Sequence, residues 1–237
     1  MKKRTKIILI SVGLVLICLI AGIFVYLCTY YKAVDVDSYF KNDNNVKVEE
    51  IKEGYLFDSN DSDKALIFYP GAKVDTKAYA PFCHQMAENG YDVFLIDMPF
   101  HFAIFDSNAA DDIIEKYNYE SYYIAGHSLG GAMAANYAAK NANKIKGLLL
   151  LAAYPTKDLS STNLTVLTIY GENDGVLNRK KVEEGRSLMP KSNFEYVISG
   201  GNHAQFGSYG KQKKDNDATI SSSKQIDETI NFIINKF

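Results

Sequence analysis

Residues 126–131, with the sequence GHSLGG, decide the fold that we expect of this chain. The stretch fits the pattern G-x-S-x-G, in which a serine occupies a sharp turn between a strand and a helix. The apolar segment Ser121–Ala125 before it predicts a strand, and Leu129–Lys140 after it predicts a helix rich in small residues. Glycines on both sides of Ser128 let the strand and the helix approach closely. An ordinary glycine-rich turn is the alternative interpretation.

A serine hydroxyl becomes a nucleophile only when a base removes its proton, and an acid must orient that base. In chains with this turn, the acid follows the serine in sequence and the histidine follows the acid. Asp174 and His203 each lie in a glycine-containing loop directly after a predicted strand. We therefore expect Ser128, Asp174 and His203 to converge as a catalytic triad. The alternative for Asp174 is a solvent-exposed turn residue, and Glu172 is its nearest rival as the acid.

Three further histidines are weaker candidates for the base. His127 directly precedes the serine, so we expect its side chain to point away from the position of the base. His84 lies inside a predicted helix and is expected to be half-exposed. His101 follows a predicted strand and is expected to line the pocket rather than to act in catalysis.

A developing oxyanion needs hydrogen-bond donors, which are commonly backbone N–H groups. The residue after the nucleophile, Leu129, is the first expected donor. The loop after the third strand supplies the second, and Pro70 in that loop has no N–H to give. We therefore expect Ala72 to be the second donor, while a simple strand-ending turn is the alternative.

Aromatic residues near the predicted strand ends are the candidates for substrate binding. They are Phe100 and His101 in an aromatic-rich stretch, Tyr154 after a strand, and Phe206 after the catalytic histidine. The polar segment 204–223 is also expected to fold over the cleft. Ordinary surface loops are the alternative interpretation of these segments.

Strand-like and helix-like segments alternate from residue 46 to residue 237. Short, continuously apolar strands separated by helices predict a mainly parallel sheet that is covered on both faces. Ligands of such sheets bind beyond the carboxyl ends of the strands. The predicted strands are residues 46–50 and 55–58, which form a hairpin around Gly54, then 65–69, 93–96, 121–125, 146–151, 166–170 and 194–198, and the predicted helices are residues 76–89, 109–117, 129–140, 179–188 and 224–237.

The N-terminus has the pattern of a membrane anchor. Ile7–Cys28 is a run of uncharged, mostly apolar residues, long enough to cross a hydrocarbon core about 30 Å thick. The alternative, a cleaved signal peptide, usually has a shorter apolar region that ends in small residues, and this run ends in bulky ones. The basic residues before it predict a cytoplasmic N-terminus. We expect a cytoplasmic tail over residues 1–6, a membrane anchor over 7–28, a polar tether over 29–45 and a globular domain over 46–237 outside the cytoplasm.

Composition excludes several classes of protein. Hydrophobic residues make up 47% and charged residues 23%, as in ordinary globular chains. A formal net charge of −2 gives no sign of nucleic-acid binding. Two of the 3 cysteines lie in the apolar run and Cys83 is alone in the remainder, so a disulfide scaffold is excluded. No Cys/His cluster has the spacing of a zinc site, and we expect no metal.

Four segments carry a resemblance to the α/β-hydrolase superfamily: FYPG at 68–71, MPF at 98–100, GHSLGG at 126–131 and GGNHAQFG at 200–207. The chain resembles a group of small bacterial hydrolases whose better-known relatives are dienelactone-hydrolase-like domains. The resemblance covers roughly residues 46–237 and implies an α/β-hydrolase fold, a Ser-His-Asp hydrolase and no cofactor. Dienelactone hydrolases proper use a cysteine nucleophile, and Ser128 holds that place here, so their particular activity is not implied.

The combined expectation is a membrane-anchored serine hydrolase that cleaves a carboxylic ester or related acyl bond of a small molecule outside the cytoplasm. The alternative is a catalytically silent α/β-hydrolase domain that binds partners at the cell surface. For the hydrolase, the expected partners are the small-molecule substrate and the membrane, with no nucleic acid. The sequence leaves the oligomeric state open.

Overall fold

A sheet of eight strands forms the centre of residues 31–237. The structure is a computed structural model that describes residues 3–237, with side chains at residue 4 and from residue 11 onward. The strands are β1 (Lys47–Ile51), β2 (Gly54–Asp58), β3 (Lys64–Tyr69), β4 (Asp92–Ile96), β5 (Ser121–His127), β6 (Gly147–Leu151), β7 (Thr165–Gly171) and β8 (Ser192–Ile198). The α-helices are α1 (Lys3–Cys28), α2 (Ala80–Glu88), α3 (Ala110–Lys116), α4 (Leu129–Lys140), α5 (Arg179–Gly185) and α6 (Ser222–Ile234).

The strand order across the sheet is β1-β2-β4-β3-β5-β6-β7-β8. β1 and β2 form an antiparallel hairpin, and β2 pairs antiparallel with β4. All the remaining neighbours are parallel. Every residue of β4 and β6 is buried, because helices cover both faces of the parallel region. The predicted fold, a mostly parallel sheet flanked by helices, is confirmed.

Each face of the sheet carries its own buried apolar cluster. Successive residues of a strand point to opposite faces, so Leu149 belongs to one cluster and Leu148 to the other. Met86 of α2 and Ile230 of α6 pack in the first cluster, and Ala134 of α4 packs in the second. Because the two cores cover the faces of the sheet, the loops that follow the parallel strands lie together at the carboxyl ends of those strands.

α1 forms the N-terminal unit of the chain, which ends at Tyr30. Its stretch Ser11–Cys28 is long and apolar enough to cross a membrane, by length and composition. Of the expected tail over residues 1–6, residues 1 and 2 lie outside the described residues. The helix begins at Lys3, so residues 3–6 continue the expected anchor as helix.

Residues 31–45, expected to be a tether, are instead folded as part of the second unit, which begins at Tyr31. A 3-10 helix spans Asp37–Phe40, and Val36 beside it is only 4% exposed. The ring of Phe40 packs edge-on against Tyr55, with ring centroids 5.0 Å apart. The tether prediction is wrong for these residues, because their few apolar side chains cover the sheet despite the polar sequence around them.

Two predicted boundaries shift for local steric reasons. Gly54 opens β2 rather than forming the hairpin turn, and a side chain there would overlap the carbonyl oxygen of Leu95. The helix predicted from residue 76 begins as a 3-10 turn over Thr76–Tyr79, and α2 starts at Ala80. Pro81 fits there because the first helical turn has no intrahelical use for its missing N–H.

The backbone is closely packed at the junction of β5 and α4. A Cβ atom at Gly130 would overlap the carbonyl oxygens of Tyr69, the last residue of β3, and of Pro70, which follows it. A Cβ atom at Gly126 would strike the backbone of Gly130, and one at Gly131 would strike Ala153. Glycine at these three positions therefore allows α4 to start directly against the ends of β3, β5 and β6.

Gly130→Ala is expected to lower the free energy of unfolding by about 3 kcal/mol, because overpacking against fixed backbone cannot be relieved by a side-chain rotation. Gly185→Ala in α5 is the matched control. Its new methyl group would meet the ring of Pro155 at 3.1 Å, and alanine favours a helix. We expect it to change stability by less than about 1 kcal/mol. Denaturant unfolding in detergent, followed by circular dichroism, measures both, and equal losses would contradict the steric argument.

Candidate active site

Ser128 stands at the turn between β5 and α4 with a strained backbone. Its φ is 54° and its ψ is −120°, values that a non-glycine residue adopts at a cost. Its N–H donates to the carbonyl oxygen of Leu151 at 2.9 Å, which ties the turn to the end of β6. The N-terminus of α4 follows directly, and its partial positive charge favours a negative charge that develops beside it.

Asp174 and His203 form a buried hydrogen-bonded pair. His203 Nδ1 lies 2.8 Å from Asp174 Oδ2, and the two side chains are 1% and 0% exposed. Asp174 Oδ1 accepts from the N–H groups of Val176 at 2.8 Å and Leu177 at 2.7 Å, which fixes the carboxylate. An ionised carboxylate can only accept, so Nδ1 carries the proton and Nε2 carries the lone pair. Among the described residues, His203 Nε2 has no hydrogen-bond partner.

Glu172, the rival acid, binds the turn at Ser199 and Gly200 and not His203. Its Oε2 accepts from the N–H of Gly200 at 3.0 Å and from Ser199 Oγ at 2.9 Å. The hydrogen bond from Gly200 and then that from Ser199 lower the pKa of Glu172 below its ordinary value. The structure thus brings Asp174, and not Glu172, to His203.

Sequence reasoning missed two side chains that position these loops: Asp215 joins the loop of Asp174 to the loop of His203, and Gln225 holds the loop of His203. Asp215 accepts from the N–H of Gly175 at 3.0 Å and, with its other oxygen, from the N–H of Ala204 at 2.9 Å. Each of those N–H groups belongs to the residue that follows a member of the acid–histidine pair. Gln225 of α6, fully buried, both donates to and accepts from the backbone of Asn202.

His127 lies beside His203, so the expectation that its side chain points away from the base is wrong. The centroids of the two rings are 4.6 Å apart. His127 Nδ1 lies 2.8 Å from Tyr79 Oη, which itself accepts the N–H of Gly71. Burial, and then the neighbouring His203, hold the pKa of His127 well below its ordinary value. The ring of His127 is therefore held neutral and places no positive charge beside His203.

The two expected oxyanion donors lie on neighbouring segments, Ala72 in the loop after β3 and Leu129 at the start of α4. β3 and β5 are adjacent in the sheet, so the loop after β3 runs beside the turn at Ser128. The N–H of Gly71 is taken by Tyr79. In the part of the chain that the structure describes, no hydrogen bond uses the N–H of Ala72 or that of Leu129. Both N–H groups therefore keep the donor capacity that the prediction requires.

A small, mostly apolar pocket opens beside Ser128 and His203, with a volume of about 220 Å³. Tyr154, expected to bind substrate, is one of its walls. A larger cavity of about 620 Å³ shares no lining residue with it. The pocket is lined by Ser128, Leu129, Ala132, Ala152, Ala153, Tyr154, Val176, Leu177, Asn178 and His203.

The other three residues expected to bind substrate do not line this pocket. Phe206 is 1% exposed and packs against the ring of His127, because the histidine loop turns inward after His203. Phe100 is 49% exposed, and its ring pairs with that of Phe105. His101 is partly buried, and its carbonyl oxygen accepts the N–H of Lys73.

His84 is buried, at 8% exposure, and not half-exposed as expected. Its Nε2 lies 3.3 Å from Asp43 and its Nδ1 lies 3.9 Å from Glu88. The three side chains offer ligand atoms within 4.8 Å of one another. Each ring nitrogen of His84 faces a different carboxylate, Asp43 on one side and Glu88 on the other.

Comparison with known proteins agrees with this architecture. The model of the alpha/beta hydrolase family matches residues 65–227. A search of curated proteins gives no match. Among solved structures, a predicted CIB-like hydrolase from Thermoplasma acidophilum has a TM-score of 0.60 at 16% identity, and the alignment covers 80% of this chain and 99% of that one. Dienelactone hydrolase from Anabaena variabilis has a TM-score of 0.61 at 13% identity, with 82% and 98% covered.

At these identities the two solved structures share the fold alone. The family model carries more weight, because it matches well over half of the chain and includes the turn at Ser128, the loop of Asp174 and the loop of His203. This chain belongs to the alpha/beta hydrolase family.

Proposed function

We propose that the chain is a serine hydrolase that cleaves a carboxylic ester or a related acyl bond. The observation that carries the proposal is the buried hydrogen bond between Asp174 and His203, on a pocket that Ser128 also lines. The pair holds the imidazole in the tautomer that can accept a proton at Nε2. The small, largely apolar wall of the pocket suits a short acyl group.

In the proposed mechanism, Ser128 Oγ attacks the acyl carbon while its proton passes to His203 Nε2. The carbonyl oxygen becomes an oxyanion and accepts hydrogen bonds from the N–H groups of Leu129 and Ala72. The bond to the alcohol breaks, and the alcohol leaves with the proton from His203. Water then gives a proton to His203 and attacks the acyl-enzyme. His203 returns that proton to Ser128 Oγ as the bond between Oγ and the acyl carbon breaks, which releases the acid and restores both residues. Asp174 stabilises the imidazolium in both steps.

Ser128→Ala is expected to abolish covalent labelling by a fluorophosphonate, because the nucleophile is gone while the elbow keeps its glycines. Ser160→Ala, an exposed serine outside the pocket, is the control and should label as the parent chain does. Mass spectrometry of the labelled peptide locates the adduct. Undiminished labelling of Ser128→Ala would assign the nucleophile elsewhere, and an unlabelled parent chain would favour a silent binding domain.

Asp174→Asn is expected to lower turnover of a simple acyl ester by on the order of 10⁴-fold, the size of the effect in serine proteases, because an amide no longer holds the productive tautomer. Glu172→Gln is the matched control, since the same change is made two residues away on the same loop. We expect it to retain most of the activity, as Glu172 only caps the turn at Ser199 and Gly200. Steady-state kinetics with esters of graded chain length compare the two, and the reverse order would assign the acid to Glu172.

We further propose that α1 anchors the enzyme in the cell membrane, with the N-terminus in the cytoplasm. The unit Tyr31–Phe237, which we name the catalytic unit, then lies outside. The apolar stretch Ser11–Cys28 supports the anchor. The basic residues that precede the apolar run support the orientation, since positive charge is retained on the cytoplasmic side.

Protease added to intact spheroplasts is expected to digest the catalytic unit, because that unit is on the outer face. A cytoplasmic protein of the same cells serves as the control for leakage. N-terminal sequencing of the membrane fraction should recover the uncleaved anchor. Full protection of the catalytic unit would reverse the orientation, and a mature chain that starts within or after α1 would show a signal peptide instead.

A further inference from the structure

An exposed apolar patch follows β4 at the carboxyl end of the sheet. It consists of Phe100, Ile104 and Phe105, which are 49%, 57% and 55% exposed, and we name it the aromatic patch. Phe105 packs edge-on against Phe100 with ring centroids 6.0 Å apart. Side chains of this size that cluster on a surface mark an interaction site more often than scattered ones do.

The aromatic patch is tied by backbone hydrogen bonds to the first residue of the catalytic unit. The N–H of Lys73 donates to the carbonyl oxygen of His101 at 2.8 Å, next to Phe100 in sequence. The carbonyl oxygen of Lys73 accepts the N–H of Tyr31 at 2.7 Å, and Tyr31 forms a β-bridge with Val74. The loop after β3 therefore lies between Tyr31 and the aromatic patch, and it contacts the backbone on both sides.

Only two residues separate Tyr31 from the end of α1 at Cys28. Even when fully extended, those three peptide steps span only about 11 Å. If α1 crosses a membrane up to Cys28, the chain between that point and Tyr31 can extend over at most about 11 Å. The hydrogen bonds described above connect the aromatic patch to Tyr31.

We propose that the aromatic patch inserts into the headgroup region of the bilayer that α1 spans. This inference rests on the membrane anchoring proposed above. Aromatic side chains suit that region because their rings tolerate an environment that is part apolar and part wet. Exposed lysines and aspartates both flank the attachment, for example Lys32 and Asp35, so apolar contact rather than net charge carries the docking.

Docking at this edge brings the catalytic pocket to the lipid surface. The 3-10 turn Ala103–Phe105 packs against α4, the helix that begins directly after Ser128. An ester with a short acyl group, whose remaining apolar part resides in the bilayer, then reaches the pocket without crossing the aqueous phase. A second copy of this chain is the other possible occupant of the patch, and the experiment separates the two.

The chain contains no tryptophan, so a single introduced tryptophan reports on its own surroundings. Phe105→Trp places the reporter in the aromatic patch. Phe194→Trp is the matched control, because Phe194 is an exposed phenylalanine on β8, at the far edge of the sheet order. Each full-length variant is reconstituted in vesicles of phosphatidylcholine and phosphatidylglycerol, with or without bromine on the acyl chains near the headgroups.

We expect bromine to reduce the emission of Phe105→Trp by about twofold, since a ring held in the headgroup region lies within reach of the quencher. The emission of Phe194→Trp should not respond. Equal responses of the two variants would overturn the docking. An emission change of Phe105→Trp that follows the protein-to-lipid ratio and ignores bromine would overturn it in favour of a second copy.

Two further measurements keep this inference apart from the proposed function. Flotation after an alkaline wash tests the anchor: a chain that washes off overturns the anchor and the docking together, whereas a retained but unquenched chain overturns the docking alone. Fluorophosphonate labelling of each variant verifies that the fold and the active site are intact. If Phe105→Trp fails to label, Ile104→Trp replaces it as the reporter.

Discussion

The structure depends on the close approach of α4 to the ends of three strands. Gly126, Gly130 and Gly131 leave no room for a side chain at this junction, and Ser128 between them accepts a left-handed backbone. That strain persists because the hydrogen bond from Ser128 to Leu151 and the packing of both elements over-determine the turn. The same crowding turns the serine outward, into the pocket, and sets the start of α4 behind it. Sheet, helix and candidate nucleophile are thus fixed by one steric constraint.

The second requirement is that loops distant in sequence meet that serine. Parallel strands bring the loops of Asp174 and His203 to the same edge, but strand ends alone locate a side chain only coarsely. Hydrogen bonds to backbone groups do the finer placement, through Asp215 between the two loops and Gln225 beneath the histidine loop. Tyr79 and His127 connect the loop after β3 to the same cluster. These hydrogen bonds satisfy buried polar groups in a low dielectric and hold the loops in place, whereas Nε2 of His127 and Nε2 of His203 have no hydrogen-bond partner among the described residues.

The sequence was sufficient for the features that local chemistry encodes. The G-x-S-x-G turn, the apolar strands and the order of serine, acid and histidine predicted the fold and the residues that the structure brings together at the pocket. The sequence was not sufficient where contacts between segments far apart in the chain decide the position of a side chain. Nothing near Asp215 in sequence indicates that its partners are Gly175 and Ala204. His127 was misplaced because a neighbour of the nucleophile on a strained turn need not follow strand alternation, and Phe206 was misplaced because the loop after His203 turns into the core.

The segment after α1 shows how an apparently polar linker becomes part of the edge that holds the candidate active site. Tyr31 pairs with the loop that contains Ala72, and the N–H of Val34 donates to the carbonyl oxygen of Ser208, five residues after His203. The residues that follow the apolar helix therefore support both the candidate oxyanion loop and the histidine loop. A free tether would form no hydrogen bonds with the loop after β3 or with the histidine loop. Here Tyr31 and Val34 form hydrogen bonds at the edge where the chemistry is expected, so these two residues contribute to the geometry of that edge.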